Sequence, residues 1–159
     1  MWHKFSLVLS FYICFFTGWL PDSPAVMRFR GWLYRPLLKS CGSDFQVARN
    51  VVLRGLGNIA IGDNVYIGPN SIFLIRKGCT VGDKVLIGPN CVIVDSNHGF
   101  DGESFRFSRG RSSEIHIGDG SWISANVVLT QGAKIPRKSV VPANSRVGWE
   151  TAERGSSVG

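Results

Sequence analysis

Residues 61–93 read IGDNVYIGPNSIFLIRKGCTVGDKVLIGPNCVI, and a large apolar residue recurs along this stretch at every sixth position. The residues on this six-residue beat are Ile61, Ile67, Phe73, Ile75, Val81, Ile87, Ile93, Ile117, Ile123, Leu129, Ile135, Val141 and Val147. The fourth residue after most of them is small or valine, as at Val65, Ser71, Cys79, Val85, Cys91, Ser121, Val127, Ala133, Ser139 and Ser145. A helix repeats about every 3.6 residues and a strand every two, so neither explains the pattern. A chain that turns one corner every six residues does, with the large residue inside and the small one at the corner.

The pattern predicts an all-β fold, a left-handed parallel β-helix of hexapeptide repeats with an N-terminal helical segment. The 159 residues leave room for one domain of about five or six coils. Between Phe73 and Ile75 the beat slips by two residues, which indicates a bulge or a small corner insertion. A β-sandwich is the alternative, but sandwich turns do not recur at a fixed six-residue spacing.

Three segments follow from this pattern. Residues 1–40 are expected to be helical, first apolar and then basic and amphipathic, and residues 41–150 to form the β-helix. An excursion loop at about 98–114 interrupts the coils. Residues 151–159 contain mostly glycine and serine after their first few positions, and a flexible tail is expected there.

The formal net charge of the chain is +7. A basic surface suits nucleic acid, an anionic membrane or a phosphorylated ligand. The sequence contains no recognised nucleic-acid-binding motif, so we expect no nucleic-acid partner. The four cysteines are Cys14, Cys41, Cys79 and Cys91, and their spacing suits neither zinc nor a redox pair. Because Cys79 and Cys91 occupy the small-residue position of the repeat, we expect them to be buried thiols.

The first forty residues contain an apolar stretch followed by a basic amphipathic one. Residues 5–20 read FSLVLSFYICFFTGWL, which is near the lower length limit of about 17 to 25 residues for a spanning helix. Three alternatives stay open: a helix at the membrane surface, a transmembrane anchor, and a helix packed against its own assembly. Residues 25–39 read as a basic amphipathic stretch with Trp32 and Tyr34, which suits either a lipid headgroup interface or a cap on the end of a β-helix.

The beat breaks after Ile93 and resumes at Ile117, and the intervening stretch contains the sequence Asn97-His98-Gly99. A loop that leaves a rigid solenoid is a common place for a functional site. Imidazole, with an ordinary pKa near 6.5, is the usual general base at neutral pH. His98 is therefore the candidate catalytic base, and His116, directly before the resumed beat, is interpreted as structural.

The segments IGDNVYIGPN (61–70), VGDKVLIGPNCVIVDSNHGFD (81–101) and IGDGSWISANVVL (117–129) resemble the hexapeptide-repeat acyltransferases. The resemblance covers about Cys41 to Val147. It is strongest to the sugar O-acetyltransferases, a subgroup that includes the maltose, galactoside and Nod-factor enzymes and those of capsule and O-antigen synthesis. Residues 20–42 resemble the N-terminal region of the polysaccharide-modifying members.

The resemblance implies an acetyl-CoA-dependent enzyme that forms a homotrimer, with each active site in a groove between two subunits. His98 matches the catalytic histidine and Trp122 the tryptophan that lines the groove, while Ala125 and Ala143 match positions beside the pantetheine arm. The basic residues expected to meet the CoA phosphates are Lys134, Arg137, Lys138 and Arg146. Metal chemistry is not expected, because zinc-dependent members of this fold need three converging histidines.

The candidates for orienting His98 or holding the acceptor are Asn97, Asp95, Asp101 and Arg106. Asn97 is grouped with His98 as catalytic, and the Arg106 loop suits a phosphorylated acceptor, such as a nucleotide-linked or lipid-linked sugar. The expected function is O-acetylation of a sugar hydroxyl in surface polysaccharide synthesis. The alternatives are an N-acyltransferase for an amino sugar and a non-catalytic β-helix scaffold. Because acetyl-CoA is an intracellular cofactor, the expected location is the cytoplasm, with attachment to the inner membrane face through residues 1–39 as an option.

Overall fold

The computed structural model describes residues 2–108 and 110–149. Two α-helices come first, α1 (Trp2–Thr17) and α2 (Pro24–Tyr34), followed by a 3-10 helix at Arg35–Leu37. The strands are β1 (Ser40–Cys41), β2 (Gln46–Val47), β3 (Val52–Arg54), β4 (Ile59–Ile61), β5 (Tyr66–Ile67), β6 (Ile72–Leu74), β7 (Cys79–Val81), β8 (Leu86–Ile87), β9 (Val92–Val94), β10 (Ile115–Ile117), β11 (Trp122–Ile123), β12 (Val128–Leu129), β13 (Lys134–Ile135), β14 (Val140–Val141) and β15 (Arg146–Val147). A second 3-10 helix, Leu56–Asn58, separates β3 from β4.

The strands stack into five coils, and each coil contributes one strand to each of three parallel sheets. We call the sheets the first face (β1, β4, β7, β10, β13), the second face (β2, β5, β8, β11, β14) and the third face (β3, β6, β9, β12, β15). Each sheet has five strands, and all pairings between named strands in the described residues are parallel. The predicted β-helix is confirmed, at five coils, and it is consistent with the left-handed form.

The core is the stack of residues on the six-residue beat. All of them are buried, from Ile61 at the second coil to Val147 at the last. The strand register places the apolar residues of adjacent coils over one another: Ile67 lies on Ile87, and Phe73 lies on Ile93. Since burying one such side chain contributes about 1.5–3 kcal/mol, the stack is the main source of stability. The sequence shows the beat from Ile61 onward, whereas the first coil, β1 to β3, precedes it.

Two of the three corners carry ladders of polar side chains. At the corner between the first and second faces, the Asp63 carboxylate accepts the Ser43 N–H at 2.6 Å, and the Asp83 carboxylate accepts the Asp63 N–H at 2.8 Å. A β-carbon on Gly62 would collide with Asp83, which explains the glycine in the repeat. At the next corner, asparagines in the left-handed conformation donate to one another from coil to coil, as Asn50 does to Asn70 at 3.1 Å.

The corner between the third and first faces, which we call the third corner, is where the coils differ. One turn takes 20 residues between Asn50 and Asn70 but 18 between Asn126 and Asn144. The additional residues of the early coils lie at this corner, where the sequence slips between Phe73 and Ile75, so the predicted corner insertion is confirmed. In the third coil the same corner expands into the loop between β9 and β10, which we call the excursion.

The two helices cover the first coil: α1 packs against β3, and α2 packs against β2. Ser23 caps α2, since its Oγ accepts the Val26 N–H at 3.4 Å. Arg30 joins the two helices, because its buried guanidinium pairs with Asp22 and donates to the Thr17 carbonyl at 2.9 Å and the Leu20 carbonyl at 2.8 Å. One of the two interpretations of residues 25–39 was a cap on the end of the β-helix. The packing of α2 on the first coil agrees with that interpretation.

The outer faces of the helices are apolar. The exposed aromatic side chains are Phe11, Phe15 and Phe16 on α1, Trp19 just after α1, and Phe29 and Trp32 on α2. Within the described residues, no helix has the length and apolar character needed to cross a membrane. The tail predicted for residues 151–159 lies outside the described residues.

Candidate active site

The base of the excursion is held shut by main-chain contacts. Ser96 and Ser112 form an antiparallel bridge, the Asn97 N–H donates to the Arg111 carbonyl at 3.0 Å, and the Arg111 N–H donates to Asn97 Oδ1 at 2.9 Å. Gly110 passes so close to the Asn97 carbonyl that a β-carbon would collide with it. Asn97 therefore fixes the loop at the point where His98 leaves the coil.

His98 lies where two grooves meet along the third corner. The groove on the side of the first coils, which we call the N-terminal groove, has a volume of about 270 Å³ and is lined by Leu7, Arg54, Leu74, Ile75, Arg76, Val94, Ser96, Asn97 and His98. The groove on the side of the last coils, the C-terminal groove, has about 710 Å³. Its walls include Asn97, His98, Phe100, Ser113, Gln131 and Trp149. The imidazole is exposed and therefore faces two spaces that could each hold a reactant.

Asp95 does not lie at this surface. Its side chain is 0% exposed, and its carboxylate accepts the backbone N–H groups of Arg76, Lys77 and Gly78 at 2.6 to 3.0 Å. The prediction that Asp95 binds the acceptor is wrong for this structure, because the acid is buried beneath the third corner and holds the preceding coil. A buried carboxylate is stable in such a place when several N–H donors surround it.

Asp101 and Arg106 lie on the excursion, and neither is among the residues that line the two grooves in the described chain. The Asp101 carboxylate accepts the N–H groups of Ser104 at 2.7 Å and Glu103 at 3.0 Å, which lowers the pKa of that carboxyl. The Arg106 guanidinium lies 5.3 Å from the centre of the Phe107 ring. Both side chains contact other groups of the excursion, and their role in acceptor binding stays a prediction.

Trp122, predicted to line the groove, and the two alanines predicted to lie beside the cofactor are not on the third corner. Trp122 is half-exposed on the second face, between Leu86 and Val140. Ala125 and Ala143 stack one coil apart at the corner between the second and third faces, where the Asn144 N–H donates to the Ala125 carbonyl. One chain therefore does not bring this tryptophan and these alanines to its own His98.

The basic residues of the last coils are also spread out. Arg137 and Lys138 lie at the corner between the first and second faces, where Arg137 pairs with Asp119 at 2.9 Å. Lys134 begins β13 and Arg146 begins β15, so these two flank the third corner from either side. None of the four is among the described residues that line the C-terminal groove.

Three residues of the grooves do not stand out in the sequence: Arg54, Arg76 and Gln131. Counting one coil of 20 residues back from Ser96 reaches Arg76, so the coil length is the signal that would have found it. Gln131 follows the last residue of the fourth coil by two positions, and its Oε1 is buried with no hydrogen-bond partner in the part of the chain that the structure describes. A buried amide oxygen without a partner at a groove wall suits a ligand with a hydrogen-bond donor.

The thiols of the coils are not available for chemistry. Cys79 is 2% exposed and Cys91 is 0% exposed. Burial, with a smaller effect of the Asp95 charge, raises the pKa of Cys79 to about 12, and burial likewise raises the pKa of Cys91. These two residues are buried as predicted. Among residues 2–108 and 110–149, no three metal-binding side chains come together.

Several proteins that resemble this chain are acetyltransferases. The family model "Hexapeptide repeat of succinyl-transferase" matches residues 58–94 and 115–131. A candidate acetyltransferase of Saccharomyces cerevisiae is 33% identical over 125 residues, which are 79% of this chain and 64% of the yeast protein. The chain thus spans less than two thirds of the length of that curated relative.

Two solved structures extend the comparison. A hexapeptide-repeat acetyltransferase of Vibrio cholerae O1 biovar eltor in complex with acetyl coenzyme A is 26% identical, with a TM-score of 0.73 over 91% of this chain and 79% of that one. A galactoside acetyltransferase in complex with coenzyme A is 26% identical, with a TM-score of 0.75 over 88% and 69%. The repeat, the five-coil fold and these relatives agree: the chain is a hexapeptide-repeat β-helix protein that resembles the hexapeptide-repeat acetyltransferases.

Proposed function

We propose that this protein is an acetyl-CoA-dependent acetyltransferase that moves the acetyl group to a sugar hydroxyl, with His98 as the general base. The observation that carries the proposal is the position of His98, exposed between two grooves at the one corner where the coil opens into a long loop. A two-substrate transfer needs two spaces that meet at one base. The relatives of known structure bind acetyl coenzyme A and coenzyme A, which supports the choice of donor.

The proposed reaction is a direct transfer. A nitrogen of the His98 imidazole takes the proton from the acceptor hydroxyl as that oxygen attacks the thioester carbonyl. The carbon–sulfur bond of the tetrahedral intermediate then breaks, and the CoA thiolate leaves and takes the proton from the imidazolium. Asn97 keeps His98 in place through its bonds to Arg111. A covalent cysteine intermediate has no support, since Cys79 and Cys91 are buried.

The C-terminal groove is the place we assign to acetyl-CoA. It is the larger of the two grooves at His98, and it contains Gln131, whose Oε1 has no partner in the described chain and suits an N–H group of a pantetheine arm. Arg146 and Lys134 flank the same corner and supply positive charge for phosphates. Arg137 and Lys138 lie at another corner and would meet the cofactor only from a neighbouring subunit.

We propose a homotrimer in which each groove is completed by a neighbour. Trp122, Ala125 and Ala143 lie away from the His98 of their own chain, on the second face and the corner beside it. A second copy packed with that face toward the third corner would bring them to the groove. The half-exposed apolar row of Leu86, Trp122 and Val140 supports such a contact, because association buries it.

A place at the inner face of a membrane, in the synthesis of a surface polysaccharide, is our proposal for the setting. The exposed aromatic side chains of α1 and α2 suit the headgroup region, and exposed Arg28, Arg35 and Lys39 lie on or just after α2. Glycan precursors built on lipid carriers would meet the enzyme at such a surface.

The test of the catalytic proposal is release of CoA from acetyl-CoA with a panel of sugar acceptors. We expect His98→Ala to lose at least about 100-fold in rate, since a general base contributes 10²–10⁴-fold. His116→Ala is the matched control: its side chain is 48% exposed on the first face and pairs only with Glu114 in the described chain, and it should keep the wild-type rate. Retained turnover in a folded His98→Ala protein would contradict the mechanism. Acetylation of amino sugars alone would favour the N-acyltransferase.

A further inference from the structure

The N-terminal groove contains two arginines that no step of the proposed transfer uses. Arg54 ends β3 and pairs in register with Leu74, and Arg76 follows Leu74 by two residues, so the two arginines lie on adjacent coils at the third corner. Both line the groove that also contains His98. The groove therefore places two positive charges on the acceptor side of the candidate base.

Within the described residues, no carboxylate neutralises the charges of these two arginines. Arg28, Arg30, Arg49 and Arg137 each have an aspartate partner at the surface or in the helical cap. For Arg54 and Arg76, no carboxylate lies within ion-pair distance anywhere in residues 2–108 and 110–149. Two unpaired guanidinium groups in one groove favour an anionic ligand.

The backbone that presents Arg76 is held rigidly. The Arg76 N–H donates to both oxygens of the buried Asp95 carboxylate, at 2.9 and 3.0 Å, and the next two N–H groups bind the same carboxylate. The backbone of Arg54 is fixed by its place in the third sheet. A site that is ordered before its ligand arrives loses less entropy on binding.

We propose that Arg54 and Arg76 bind the phosphate or diphosphate group of the acceptor, so that the sugar is presented to His98 as a phosphate or diphosphate ester. A guanidinium offers paired N–H groups in a plane, which match the oxygens of a phosphate. The remaining wall, formed by Leu7, Leu74 and Val94, is apolar and extends the groove toward α1. This inference rests on the proposed transferase function and names the acceptor class for that site.

The direct test is the binding of inorganic pyrophosphate to the full chain, measured by titration calorimetry. Arg54→Gln and Arg76→Gln should each raise the Kd of pyrophosphate by about tenfold or more, which corresponds to the loss of one charge-assisted contact. Arg49→Gln is the matched control, because Arg49 is an exposed arginine that pairs with Asp22 and does not line the groove. It should leave the Kd unchanged. Absence of binding to the wild type, or equal Kd values in all variants, would overturn the proposal.

A second arm separates the acceptor from the cofactor, since CoA also carries phosphates. The stabilisation of the protein by acetyl-CoA, read as a shift in Tm, should be the same in Arg54→Gln and Arg76→Gln as in the wild type. Loss of that shift would assign the arginines to the cofactor and overturn the inference. If acetyl-CoA does not bind the wild type while pyrophosphate binding depends on both arginines, the transferase proposal fails and the anion site stands.

A third arm identifies the source of the phosphate. Geranyl diphosphate that binds more tightly than pyrophosphate would indicate a lipid carrier, with the apolar wall at Leu7 contacting the chain. Uridine diphosphate that binds more tightly would indicate a nucleotide sugar. Equal binding of all three would show that the groove recognises the diphosphate group alone, which the proposal also predicts.

Discussion

Asp95 illustrates how a single residue can look functional in the sequence and be structural in the fold. It precedes His98 by three positions and was predicted to orient that histidine or to hold the acceptor. Its carboxylate instead accepts four N–H contacts from residues 76–78 of the previous coil. The sequence shows the acid and its distance from His98, but not that the chain turns inward at that position.

This role predicts a stability effect. Asp95→Asn replaces one acceptor oxygen by an amide N–H₂ group that faces N–H donors, so the free energy of unfolding should fall by about 2 to 4 kcal/mol. The measurement is urea or thermal unfolding of the full chain. Asp101→Asn is the control, because that carboxylate serves only an exposed turn within the excursion, and it should remain close to the wild type. An Asp95→Asn protein as stable as the wild type would contradict the structural role.

At the same scale, the sequence identified His98 and Asn97 as neighbours of the site but not Arg54 and Arg76. Adjacent residues stay together in any fold, whereas Arg54 and Arg76 reach His98 only because coils of 20 residues stack in register. The six-residue beat contains that information once the two extra residues at the third corner are counted.

Among the elements, the coils were predictable and the helices were only partly so. The beat depends on local composition, because each large apolar residue fills the same interior position. The helices α1 and α2 pack on the first coil through buried side chains such as Ile13, Arg30 and Tyr34. Their apolar composition alone suited a membrane helix as well as this cap.

The exposed side of α1 predicts membrane-surface binding. Phe11 and Phe15 are 64% and 66% exposed and stack on each other, with ring centres 6.1 Å apart. Replacing both by glutamate should lower the fraction bound to phosphatidylglycerol vesicles by about tenfold or more, because burying each ring contributes about 1.5–3 kcal/mol at most. The measurement is co-sedimentation with the vesicles.

Phe107→Glu is the control for this experiment, since Phe107 is 81% exposed but lies on the excursion. It should bind vesicles as the wild type does. If the α1 variant still bound equally well, or if the wild type did not bind, the proposed membrane contact would have to be abandoned.

The whole molecule is a prism whose candidate reactive groups lie on different faces. His98 is at the third corner, whereas Trp122 is on the second face. The order of these residues in the sequence does not show which of them line the same groove within one chain. Their separation is what makes a second copy necessary to complete the proposed site.

The proposed homotrimer yields a prediction at this scale. Trp122→Glu places a charge in the apolar row of the second face, so the variant should dissociate from a trimer to smaller species and lose activity with the assembly. Light scattering during gel filtration gives the mass. Thr80→Glu is the control, because Thr80 is an exposed residue at the equivalent outward position of the first face, and it should remain trimeric. A trimer that tolerated Trp122→Glu, or a monomeric wild type, would contradict this arrangement.

The most direct test of the account is a thermal-shift titration of the full chain with acetyl-CoA. A ligand that binds only the folded protein adds about 2.7 kcal/mol of stability at a hundredfold excess over its Kd. We predict a saturable rise in Tm with acetyl-CoA, and a smaller rise in a Gln131→Ala protein. Absence of any shift with both acetyl-CoA and CoA would contradict the assignment of the C-terminal groove to the cofactor, and the protein would then be better described as a β-helix without transferase activity.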